Sequence, residues 1–328
     1  MYYPHTNLEA ICYEPDHISA VIAEIQSNFQ QYFYKYLDTV GGTIISEKQF
    51  HHIAESLGCT VTGEQEKKPS LLYKVIIHSA TNFFQTDTRD KRDRYIEIMN
   101  ADRLEEYEDD PNLFKNTALR NDCPVIRMTL QNRQAKELDK YRMEFAKADP
   151  MHLLSVVENL NKFKTDYIKN FNVEKYNCIK SYSDMNLEEL DTESYIAYGV
   201  IGGGIKSHLL YMSNPDLFPN RSREAIWALW FLTNKNDFDC SEDSEFLMIN
   251  KRKNIVNQNY FYPYSLFSYY AYIIYQLLNN QAKSLSVPID ESYKYVYVDS
   301  FLKFVANLHS EDINILRIPE MEDGNDCY

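Results

Sequence analysis

The chain has 328 residues, 44% hydrophobic and 25% charged, which suffices for a sizeable apolar core without disulfide or metal staples. Nine glycines and eleven prolines are too few for a turn-dense β-sandwich, so helix is favoured. A formal net charge of -14 disfavours general binding to nucleic acid, whose affinity comes mainly from lysine and arginine. Aromatic residues make up 14%, led by 27 tyrosines. Their rings suit half-buried helix faces and also partner-binding surfaces.

The cysteines stand at 12, 59, 123, 178, 240 and 327, with no CxxC pair and no short zinc-like spacing, and read as reduced thiols. No signal-like segment opens the chain. No apolar run reaches the ~18 residues of a membrane helix, so the expected address is the cytoplasm with no membrane partner.

In chain order, His17 to Val40 predicts a long amphipathic helix, with Ile18, Val21, Ile22, Ile25, Phe29, Tyr32, Phe33 and Tyr36 recurring at three and four. Gly41 and Gly42 stop it. Ser46, with Gln49 three residues on, caps a short helix through Leu57. Leu71 to His78 and Pro124 to Leu130 are apolar enough to be strands. The acidic stretch 101–111 reads as a solvated loop. Two helices are expected between Asn132 and Phe171, parted near Pro150. Polar, aperiodic 172–193 is the best domain boundary.

Residues 194–278 hold both tryptophans and the triple glycine. Ser222 to Thr233 predicts a helix, Glu245 to Ile249 a strand, and Pro263 to Leu278 an apolar helix. Tyr293 to Val298 reads as a strand and Ser300 to Leu308 as a helix. The fold class is therefore α-rich α+β, with a helical half over 1–185 and a half of helices and a few strands over 186–328. A single large domain fits the same pattern.

The most suggestive segment for chemistry is Tyr195 to Leu210, where YIAYGVI meets Gly202, Gly203 and Gly204 before IKSHLL. Strand, glycine loop and helix form the order of a phosphate cradle. A P-loop needs G-x-x-x-x-G-K-[ST], and Gly199 and Gly204 hold that glycine spacing. Ile205 then intervenes before Lys206 and Ser207, which rotates Lys206 by about 100° away from a phosphate. Asp299, ending YVYVD, is a candidate magnesium ligand beside such a loop. His208 is a candidate general acid or base. Arg221 and Arg223 open a helix whose amides favour anions, with Asn220 or Ser222 as its cap.

Asp243, Glu245 and Lys251 have the residue types of a metal-dependent nuclease. Glu245 and Lys251 are six residues apart, which is not a pair on one strand face. Phe50 to Val61 (FHHIAESLGCTV) matches the first helix and turn of a helix-turn-helix, but GEQEKKP offers a poor recognition helix.

Three functional readings follow. The first is a partner-binding or regulatory protein with a tyrosine-rich interface, whose partner can be a second copy in a homo-oligomer. The second is a metal-dependent enzyme of phosphate chemistry, a nuclease or nucleotide hydrolase with Mg2+, built on the glycine loop. The third is a DNA-binding regulator acting through 50–61.

Overall fold

Pro15 opens the first long helix, α1 (Pro15–Asp38), at a position where its missing N–H is no loss, and the expected stripe from Ile18 to Tyr36 is buried except for half-buried Ile22. The computed structural model describes residues 9–42, 47–59, 68–240, 243–250 and 255–317. The rest of the N-terminal half is helical: α2 (Glu47–Ser56), α3 (Pro69–Asn82), α4 (Arg89–Ile98), α5 (Ala101–Glu105), α6 (Pro111–Leu113), α7 (Pro124–Gln131), α8 (Asp139–Lys147), α9 (Pro150–Asn170) and α10 (Val173–Tyr176). Three short 3-10 turns follow between Tyr182 and Tyr195. Then come α11 (Gly203–Ser213), α12 (Arg223–Leu232), a hairpin of β1 (Leu247–Asn250) and β2 (Ile255–Gln258), α13 (Tyr264–Ser284), α14 (Lys294–Leu308) and α15 (Ser310–Arg317).

Among the described residues the hairpin is the only sheet, antiparallel and in register from Leu247 opposite Gln258 to Asn250 opposite Ile255. The chain is thus a helix-rich α+β fold. No helix among the described residues is long and apolar enough to cross a membrane.

Three expected strands are helices. The run Leu71 to His78 lies in α3, which buries Tyr73 and Ile76 in the main core while Leu71 and Val75 pack on Phe50 and Ala54 of α2. A helix covered on two sides loses its polar stripe and resembles a strand in sequence. Pro124 to Leu130 is α7, started by Pro124. Tyr293 to Val298 is a 3-10 turn running into α14, which packs against α3, α12 and α13 and is apolar nearly all round. The Pro150 break between α8 and α9 lies where expected. The acidic stretch 101–111 is partly ordered as α5, capped by Asn100, with Leu104 buried.

One apolar core runs from Ile18 to Ile313, and α13 crosses it. The polar segment 172–193 lays its 3-10 turns against α13. Among the described residues fifteen tyrosines are buried, so ring-and-hydroxyl chemistry is spent largely inside. Tyr36 bonds Ser300 at 2.8 Å, Tyr73 donates to the Leu278 carbonyl at 3.1 Å, and Tyr264 donates to the Pro219 carbonyl at 3.0 Å. Each such bond contributes about 1 kcal/mol net, but leaving a buried hydroxyl unpaired costs about 1–3 kcal/mol, so these contacts fix which helices meet.

Candidate functional site

The segment before the triple glycine is a tight turn rather than a strand. Ala197 and Ile201 pair as an isolated antiparallel bridge around Gly199, whose φ of +76° lies in the left-handed region. A Cβ there would also stand 2.8 Å from the Cβ and Cγ of Glu144. The chain leaves this turn through exposed Gly202, the cap residue of α11. The first amides of a helix have no partner within it and point outward together with the positive end of its dipole.

Arg221 lies beneath this bend and is only 4% exposed. Its Nη1 is 2.7 Å, and its Nε 3.3 Å, from the point where a Cβ on Gly203 would stand. Nη2 donates to the Asn259 carbonyl at 2.6 Å, while Nε is buried with no hydrogen-bond partner. Ser207 holds the Arg221 backbone in place: its Oγ accepts the Arg221 N–H at 3.1 Å and donates to the Gly204 carbonyl at 3.0 Å. Burial pushes the guanidinium down to about 10, against the pull of Asp191.

Lys206 is turned the other way. Its ammonium donates to the Leu190 carbonyl and stands 3.8 Å from the Asp191 carboxylate, with burial lowering it to about 8. Asp191 also accepts the N–H of Tyr264 at 2.7 Å and of Ser265 at 2.9 Å, capping α13. Lys206 is thus paired with Asp191, whose charge also acts on the buried Arg221, and both cations remain charged at neutral pH. Arg223 does not join them: it is exposed and pairs with Glu224 at 3.0 Å. Ser222 caps α12 by accepting the Ala225 N–H at 3.1 Å.

His208, one residue beyond Ser207, belongs to a separate buried chain of polar groups. Asn220 Nδ2 donates to Asp299 Oδ1 at 2.9 Å, so its Oδ1 is left to accept from His208 Nδ1 at 3.3 Å. Lys303 donates to the second Asp299 oxygen at 2.7 Å. Burial lowers the His208 pKa and keeps the ring neutral. Asp299 is thus no strand-end carboxylate awaiting magnesium. It stands on α14 with both oxygens engaged.

Asp243 and Glu245 also part company. Asp243 accepts the Ile249 N–H at 2.6 Å, beside the hairpin. Glu245 is wholly buried before β1, where it bonds His17 Nε2 and accepts from the hydroxyls of Tyr262 and, at 3.1 Å, Tyr270. Lys251, the third member of the nuclease set, lies outside the described residues, as does the segment 60–67 that would complete a helix-turn-helix.

Around His17 the fold assembles a group that the sequence conceals. Cys12, on a 3-10 turn before α1, and Cys240, after α12, bring their sulfurs to 3.7 Å across 228 positions of sequence. With His17 they form three ligand-type atoms all within 4.8 Å of one another.

An open groove of about 610 Å3 lies elsewhere, between α9 and the 3-10 turns, lined by Lys162, Asp166, Tyr167, Lys175 and Tyr195 among others. Its lining includes none of the glycine-bend, Arg221, His208 or Cys12 groups. Compared with models of known protein families, with curated proteins and with solved structures, the chain finds no match.

Proposed function

We propose that this protein binds a phosphate-bearing ligand at the N-terminus of α11, with the amides of the triple-glycine bend and the guanidinium of Arg221 as its anion-binding groups. The observation that carries the reading is Arg221: a buried cation, its Nε unpaired, packed against Gly203 at a helix N-terminus. Glycine at 203 admits the guanidinium to a place that any side chain would fill.

Charge supports the same reading. Lys206 pairs with Asp191, buried Arg221 makes no ion pair within the same reach among the described residues, and an uncompensated charge out of water is costly. A bound anion at the adjoining amides balances it. Lys206 contributes to this balance and not to direct contact. Asp299, held by Lys303 and Asn220, is given no metal in this reading. The tyrosine-rich interface receives less support, because most of the rings lie in the core and exposed Tyr34 and Tyr260 stand among few others.

The test is titration calorimetry with inorganic phosphate and with ATP, on the unaltered chain and on Gly202→Asp. At Gly202 the φ of -99° and ψ of -170° suit any residue, and a Cβ there meets open space. Aspartate is a favoured cap, so its carboxylate occupies the helix amides in the ligand's stead. Binding by the unaltered chain and its loss in a folded G202D protein are expected. No heat with either ligand, or equal affinity in G202D, refutes the reading.

A further inference from the structure

We propose that Cys12, His17 and Cys240 form a binding site for a zinc-class divalent cation, with Glu245 as the carboxylate that orients His17. The site is distinct from the anion site and does not depend on it.

Distance is the first argument. A tetrahedral ion with metal–sulfur bonds of about 2.3 Å separates two sulfur ligands by about 3.8 Å. The Cys12 and Cys240 sulfurs are 3.7 Å apart, whereas a disulfide requires about 2.05 Å. The imidazole completes a triangle of donors within 4.8 Å, a span that one ion at its centre bridges.

The surroundings of His17 are the second argument. A pair of buried cysteines alone behaves as apolar filling. Here the neighbouring histidine carries its own wholly buried carboxylate, Glu245, fixed by the Tyr262 and Tyr270 hydroxyls. Metal-ligating histidines characteristically commit one ring nitrogen to a carboxylate in this way, which sets the tautomer and frees the other nitrogen for the ion. With Nε2 on Glu245, that nitrogen is Nδ1.

Donor chemistry and charge select the cation. Two thiolates and an imidazole suit zinc and its near relatives better than magnesium or calcium, which take oxygen. Two thiolates cancel the charge of a divalent ion, so the filled centre adds no net charge to the core. Cys12 is fully buried, and Cys240 is only partly so, which gives the ion a path from solvent. Three protein donors leave one coordination position, the arrangement of an open zinc site.

The test uses the full chain, reduced, stripped with a chelator and titrated with Co2+ alone. Expected are thiolate-to-cobalt charge-transfer absorption and strong visible bands of a tetrahedral ion, saturating at one ion per chain and bleached by Zn2+. Cys240→Ser, which alters only a partly exposed side chain, removes them with its far-ultraviolet circular dichroism unchanged. Exposed Cys178→Ser leaves them intact. Glu245→Gln keeps the bands with about 10–100-fold weaker affinity. Absence of bands in the reduced chain, bands retained in C240S, or a Cys12–Cys240 disulfide in the protein as purified overturns the site. An affinity unchanged in E245Q overturns the role of Glu245.

Discussion

Arg221 and Gly203 are in contact as side chain to backbone: a Cβ on residue 203 would stand 2.7 Å from the Arg221 Nη1 and 3.0 Å from its Cζ. Fourteen positions after Ser207, whose hydroxyl accepts the Arg221 N–H, the chain thus returns to the start of the same helix.

This contact predicts a contrast between adjacent glycines. Gly203→Ala displaces a buried guanidinium and is expected to destabilise by about 1–3 kcal/mol, the range for overpacking. Gly204→Ala meets only the Arg221 carbonyl oxygen, at an ordinary 3.7 Å, and replaces a glycine in the first turn of the helix. It is expected to be neutral or stabilising by up to ~1 kcal/mol. Urea unfolding of both variants, compared at equal m-values, checks the pair.

At Gly199 two effects add. The left-handed φ of +76° strains any other residue, and the added Cβ would strike Glu144 at 2.8 Å. Gly199→Ala is expected to lose about 2–4 kcal/mol. Because the second effect belongs to Glu144, the double variant Gly199→Ala, Glu144→Ala should recover part of the loss in a thermal melt.

Lys206 gives the protein a stability that rises with pH. Its folded pKa of about 8 lies below the unfolded value of 10.5, so between these the unfolded chain binds more protons. The penalty for burying the charge is therefore full below pH 8 and fades as pH climbs toward 10.5. Relative to Lys206→Met, the unaltered chain should gain about 2 kcal/mol between pH 7.5 and 9.5. Other titrating groups cancel in that difference, and a difference flat with pH contradicts the prediction.

The chain His208, Asn220, Asp299, Lys303 acts in the same direction in a more acidic range. Burial lowers the His208 pKa, so the contribution present above 6.5 is lost as pH falls below that unfolded value. His208→Gln should flatten the decline in unfolding free energy between pH 7 and pH 5. Asn220→Ala strands both the ring Nδ1 and an Asp299 oxygen, and should destabilise by about 2–4 kcal/mol in denaturant titrations at pH 7.

The sequence by itself determined the helical class, because few glycines and a three-and-four apolar spacing leave little room for sheet, as α1, α8 and α9 illustrate. It also marked the Pro150 break and the triple-glycine helix start, which depend on local backbone rules. It misread α3, α7 and the start of α14, since an apolar pattern reports burial and says nothing of how many neighbours supply it. Only the tertiary structure decided which side chains meet. Lys206 on the glycine helix and Arg221, which returns to the start of that helix from the segment before α12, take different partners, and Arg223, two residues on, faces solvent. Cys12, His17 and Cys240 converge over a separation of 228 residues because α1 and the segment after α12 pack on one core. No spacing motif encodes that meeting: contacts between distant residues follow from the packing of whole helices and leave no local mark on the chain.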